Sequence, residues 1–171
     1  MIHYVLAFDP SGSFQEGKGV TGWCLVKRGS KKSVEVIKSG VIRAKDYNTA
    51  MDYYIAHLKL IDKMDRNYND LHTYIKRKLH IVIEDYRLYA SKADCQINSR
   101  METCQLIGIL KYYCYTKSLH YTLQMAGEVK TRWTDDRLVN KGIELPVTNE
   151  RRHIKDAIRH ALHFIYFKLG E

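Results

Sequence analysis

The sequence predicts an α/β protein built on a five-stranded mixed sheet flanked by helices. Three observations carry this. Five apolar, β-rich runs of strand length punctuate the chain, at about His3–Asp9, Val20–Val26, Ser33–Ile42, Leu79–Glu84 and Leu119–Met125. Loops alone separate the first three, which favours an antiparallel meander. Whole helices separate the later ones, which implies right-handed parallel crossovers that bring strands 1, 4 and 5 parallel.

The first run ends abruptly in Asp9, and Pro10-Ser-Gly-Ser13 turns the chain away from it. A glycine-rich loop to Gly19 precedes the second strand, Val20-Thr-Gly-Trp-Cys-Leu-Val26. The basic turn Lys27-Arg-Gly-Ser-Lys-Lys32 reverses it into a third strand, with Val34, Val36 and Lys38 on one face and Glu35, Ile37 and Ser39 on the other. Asn48 or Thr49 can cap the next helix, whose stripe is Met51, Ile55, Leu58 and Ile61. Polar residues 65–70 interrupt the stripe, and Leu71, Ile75 and Leu79 resume it. The fourth strand closes on Glu84. A helix over about Ala93–Lys117, a fifth strand, short helices over Ala126–Gly142 and a final helix to Lys168, capped by Thr148 or Asn149, complete the order.

The 171 residues suit one domain, residues 1–171, and 45% hydrophobic content excludes a disordered chain. A formal net charge of +9 and a pI near 9.3 point to a polyanionic partner, with nucleic acid the default. Cys24, Cys95, Cys104 and Cys114 form no C-x-x-C pair, which argues against a zinc ribbon or a disulfide framework and for reduced thiols in a cytoplasmic setting. No basic region precedes a long apolar run, as a signal peptide would require, and no stretch is long and apolar enough to span a membrane.

Asp9 and Glu84 both end core strands, where open α/β sheets bind ligands. Two adjacent carboxylates repel, and a divalent cation such as Mg²⁺ removes the conflict through hard oxygen ligation. The last helix offers a third acid: His153, Asp156 and His160 fall at i, i+3 and i+7, on one helical face, beside the apolar stripe Ile154, Ile158, Leu162 and Ile165. Taken alone, Asp9 reads as a turn-forming acid, Asp156 as a helix-dipole partner and His160 as a structural residue. The joint occurrence of the three acids shifts them to function. A zinc site at His153, Asp156 and His160 fits poorly, because the C-terminal region brings no cysteine. Basic residues are expected to gather near the acids as phosphate contacts: Lys27, Arg28, Lys31 and Lys32 in the hairpin turn, Lys130 and Arg132 beside Trp133, and Arg151, Arg152, Lys155 and Arg159. Just past Glu84, Arg87 is a further expected nucleic-acid contact, and Tyr86 and Tyr89 beside it offer rings that stack on bases, with packing the commoner use of either.

In order, Asp9-Pro-Ser-Gly, Thr21-Gly-Trp23, Ile83-Glu84 and His153-x-x-Asp156-Ala resemble the RuvC-type Holliday-junction resolvases of the RNase H-like superfamily. Glu84-Asp-Tyr-Arg-Leu-Tyr, with Gln96-x-x-Ser99-x-x-Glu102-Thr and Leu106-Ile-Gly-x-Leu110, resembles the bacteriophage branch. The resemblance spans residues 3 to about 165. It implies an RNase H-like fold and an endonuclease that cuts four-way junctions, forks and other branched DNA to 5′-phosphate ends. It implies two Mg²⁺ ions, with Mn²⁺ able to substitute, clamping the phosphate. Asp9 would bridge them, with Glu84 and Asp156 on either side. His153 would be a fourth participant, since the matching position in the family carries either Asp or His. It also implies a homodimer, as cutting two opposed strands favours. The chain departs from the family at Ser11, where many members have Gly, in its longer loop to Thr21, and at Asp85, which could compete with Glu84 for metal. An RNA or RNA–DNA hybrid nuclease, a junction binder without catalysis, and an actin-like phosphate-binding ATPase are the alternatives.

Overall fold

The sheet of the computed structural model has the order β3-β2-β1-β4-β5. Residues 3–29, 33–68, 79–87, 100–145 and 151–169 are described, residues 3 and 151 by backbone alone. The strands are β1 (His3–Asp9), β2 (Val20–Arg28), β3 (Val34–Arg43), β4 (Leu79–Asp85) and β5 (Tyr121–Met125). β2 lies antiparallel to β1 and β3, whereas β4 is parallel to both β1 and β5. The expected meander and parallel half are both present. A bulge at Leu25/Val26 leaves Ile37 of β3 without a register partner. The extra residue reverses side-chain parity, so Val36 and Val41 pack on the same side of the sheet while Ile37 packs on the other.

Helices cover both faces. On one side α1 (Ala50–Tyr68) and α2 (Glu102–Thr116) bury Tyr53, Ile61, Met64, Leu106 and Leu110 against Leu6, Phe8, Leu25, Ile81 and Ile83. Thr49 caps α1, accepting a hydrogen bond from the Asp52 amide at 3.0 Å. The helix runs through the polar residues to Tyr68; the renewed stripe at Leu71 and Ile75 lies outside the described residues, as do Ala93, Cys95, Gln96, Ser99 and the caps at Thr148 and Asn149.

On the other side lie α3 (Ala126–Arg132), α4 (Asp135–Val139) and α5 (Arg151–His163), which continues as a π-helical stretch, Phe164–Lys168. Ile154, Ala157, Ile158, Ala161, Leu162 and Ile165 of this last element pack on Val5, Ala7, Cys24, Val26 and Val82. Alternate strand residues face opposite sides. Asp9 therefore shares a face with Val5 and Ala7, and Glu84 with Val82. Both acids point toward α5. No described helix is long and apolar enough to cross a membrane. Cys24, Cys104 and Cys114 are free thiols.

Candidate metal centre

Phe8 pairs with Ile83 across the parallel β1–β4 ladder, so the next residues, Asp9 and Glu84, leave the sheet side by side. α5 brings Asp156 over them, and ligand oxygens of Asp9, Glu84 and Asp156 lie within 4.8 Å of one another. Of the described residues, these three form the one cluster able to hold a metal ion. Three carboxylates make a hard-oxygen site suited to Mg²⁺ or Mn²⁺ and poorly suited to a tetrahedral zinc site.

The surroundings behave as a cation site should. The Lys130 ammonium lies 2.9 Å from Asp156 Oδ2 and 3.7 Å from Glu84 Oε1, a positive charge lodged between two of the acids. Arg159 holds the other Asp156 oxygen at 2.6 Å and is itself anchored at 2.5 Å by Asp135 of α4, which also pairs with Lys155 at 2.7 Å. Asp156 is almost wholly buried, and such a carboxylate is tolerable only with this compensation. Burial pushes the Asp9 carboxyl up to about 6; the His153 hydrogen bond opposes that rise and the Glu84 charge adds to it. Burial also raises Glu84, but His160 and Lys130 outweigh it and hold the group below its ordinary value. A bound divalent cation would favour the ionised form of all three.

His153 joins the site through Asp9: its Nδ1 lies 2.7 Å from Asp9 Oδ2, and this bond raises the imidazole's pKa. The turn after Asp9 is held from two sides. On the α1 side, Tyr53 donates to the Ser11 carbonyl at 2.6 Å and pairs with Thr21 Oγ1, which accepts from the Ser11 amide. On the α2 side, Thr103 accepts from the Gly12 amide at 3.0 Å, and a Cβ at Gly12 would overlap the Glu102 backbone. This is why Thr21 and Gly12 accompany Asp9.

The remaining expected residues divide between places away from the cluster, places outside the described residues, and the exposed surface. Asp85 follows Glu84 but faces the opposite side of the sheet, near Cys104, and does not compete for the cluster. Lys27 and Arg28 are at the wrong end. Gly22 pairs with Asp9 but Arg28 pairs with His3, which puts Arg28 about 20 Å away at about 3.3 Å per residue. Lys31, Lys32 and Tyr89 lie outside the described residues, as does the side chain of Arg151. Arg132 sits over the Phe167 ring at 4.8 Å, far along the C-terminal helix from Asp156. Lys155 is paired with Asp135, Tyr86 packs against the α1–α2 core, and Arg87 and Arg152 are exposed.

His160 adds a contact to the structural place expected of it. It is structural in the sense of being buried, yet its Nε2 lies 2.8 Å from Glu84 Oε2. Its spacing of four residues from Asp156 was the available signal, one helical turn further along the same face. Asp135 gave none, because it sits in a five-residue helix.

No protein-family model matches this sequence, and no curated protein is similar to it in sequence. Among solved structures, T. thermophilus RuvC in complex with Holliday junction substrate superposes with a TM-score of 0.67 at 16% identity, over 98% of this chain and 96% of that one. A second Thermus thermophilus RuvC structure gives 0.67 at 15% identity with the same coverage. The chain has a RuvC-type, RNase H-like fold along nearly its whole described length.

Proposed function

We propose that this chain is a metal-dependent, structure-selective DNA endonuclease that cleaves Holliday junctions and other branched DNA to leave 5′-phosphate ends. One observation carries the reading: Asp9, Glu84 and Asp156, from three separate elements, bring ligand oxygens within 4.8 Å of one another at the C-terminal ends of the interior strands β1 and β4. The RuvC-type fold, a structural relative determined with junction DNA, and the net charge of +9 support it.

Asp9, Glu84 and Asp156 would hold Mg²⁺, with Mn²⁺ able to replace it. When bound, the metal supplies charge neutralisation at the phosphate and an acidified water. The chain's own residues do the rest. His153 donates Nδ1–H to Asp9, which fixes the ring and leaves Nε2 to take a hydrogen bond or a proton from the attacking water. Lys130, released from Asp156, would offer its ammonium to the scissile phosphate, where negative charge accumulates in the transition state. Exposed Arg87 and Arg152 would contribute sequence-independent phosphate contacts. Cutting opposed strands symmetrically calls for a homodimer, acting in the cytoplasm where DNA and reduced thiols coexist.

The test is cleavage of a four-way DNA junction in Mg²⁺, with an RNA–DNA hybrid of equal length beside it. The expected result is paired nicks near the branch point and no hybrid cleavage. Hybrid cleavage with an untouched junction would transfer the reading to an RNase H-type activity.

A further inference from the structure

A buried pair of polar side chains behind Glu84 has no counterpart in the metal-holding trio. Gln124 of β5 is the register partner of Glu84, and its amide reaches α5. Two backbone groups fix that amide's orientation. The His160 carbonyl can only accept, and it lies 3.0 Å from the Gln124 nitrogen; the Phe164 amide can only donate, and it lies 3.3 Å from the Gln124 oxygen. Gln124 thus takes both ends of the hydrogen bond that an uninterrupted α-helix would make between His160 and Phe164, and π-helical winding begins at Phe164.

The same amide nitrogen lies 3.0 Å from His160 Nδ1. Because that nitrogen is a donor, Nδ1 must accept, and the ring proton resides on Nε2. Nε2–H then donates to Glu84 Oε2 at 2.8 Å. The His160 side chain is fully buried, so no water competes for this bond. Oε2 is committed to the imidazole, and Oε1 is the oxygen 3.7 Å from the Lys130 ammonium, which itself lies 2.9 Å from Asp156 Oδ2.

We infer that Gln124 and His160 form a positioning relay, in which the amide sets the imidazole tautomer and the imidazole holds Glu84 with Oε1 presented as the metal ligand. The inference rests on the metal-centre reading above. Partners one step behind the ligands fix orientation and typically change metal affinity by about 10–100-fold when removed.

The test uses the full chain without DNA. Long-range ¹H–¹⁵N spectra of the histidine side chains near neutral pH read the tautomer, and calorimetric Mn²⁺ titration reads affinity. The relay predicts a His160 protonated at Nε2 with an unprotonated Nδ1. It predicts that His160→Leu weakens Mn²⁺ binding about 10–100-fold, and that His160→Gln, which can place a donor near the former Nε2, returns to within about threefold of wild type. A His160 protonated at Nδ1, or a folded His160→Leu protein that binds Mn²⁺ as wild type does, overturns the relay alone. Should His160→Leu fail to fold, the wild-type spectrum decides: Nε2–H upholds the relay and Nδ1–H overturns it. A wild-type chain that binds no divalent ion overturns the metal-centre reading, and the relay's purpose with it.

Discussion

Gly22 lies directly beneath the backbone of His153: a Cβ at position 22 would overlap the His153 carbonyl and the Ile154 amide. Gly22 is also the register partner of Asp9. One missing side chain on β2 therefore lets the first turn of α5 descend far enough for His153 to bond Asp9 and for Asp156 to reach the acid cluster.

Gly22→Ala should accordingly lift α5. Forcing one methyl group into a packed interface costs about 1–3 kcal/mol. The expected outcome is a lower melting temperature together with a loss of junction cutting much larger than the stability loss explains, because His153 and Asp156 move together. Thermal denaturation and a cleavage assay at a temperature where the variant remains folded check this.

Tyr53→Phe removes the hydroxyl that donates to the Ser11 carbonyl and pairs with Thr21. Leaving such buried partners unsatisfied costs about 1–3 kcal/mol. The variant should unfold at lower denaturant with an unchanged m-value, and it should cut more slowly because the turn after Asp9 has lost its α1 anchor. Chemical denaturation followed by fluorescence measures the first effect.

Basic residues divide by position. Lys130→Ala should reduce junction cutting by about 100-fold or more, since it removes a charge at the acid cluster. The double change Lys27→Ala, Arg28→Ala, at the far end of β2, should alter cutting by no more than about twofold. Parallel rate measurements at fixed salt distinguish the two.

Stability should fall in mild acid through His57. Burial pushes this imidazole down to about 4; Nδ1 donates to the Tyr53 carbonyl, and Nε2 has no hydrogen-bond partner among the described residues. In the unfolded chain the group titrates near 6.5, so between 6.5 and 4 the unfolded state binds the additional proton. The stability held by neutral His57 is complete above the unfolded value and is lost as pH falls toward 4, by up to about 3 kcal/mol. Denaturation midpoints across that range should decline in the wild type and decline less in His57→Leu.

The sheet was legible because strand periodicity is a local property. Asp9 and Glu84 each terminate an apolar run, and the alternation that buries Val5, Ala7 and Val82 also sends both acids to one face. Asp156 was legible through its place early in an amphipathic helix. The His160 relay was not, because it depends on Gln124, and a lone glutamine in a strand gives no hint that it faces a helix. The parity switch in β3 escaped for a related reason: a bulge is a property of the pair, and β2 shares it. The misplacement of Lys27 and Arg28 was avoidable. An antiparallel β2 that starts beside the C-terminal end of β1 must finish beside its N-terminal end, so Lys27 and Arg28 at its finish cannot approach Asp9.

The most direct measurement is anomalous X-ray diffraction from crystals of this chain soaked in Mn²⁺. Anomalous density is expected within coordination distance of carboxylate oxygens from Asp9, Glu84 and Asp156, with Lys130 withdrawn from Asp156, and none in Asp9→Asn crystals grown alike. A fully soaked wild-type crystal with Lys130 still seated on Asp156 and no metal among the three acids would contradict the metal-centre reading.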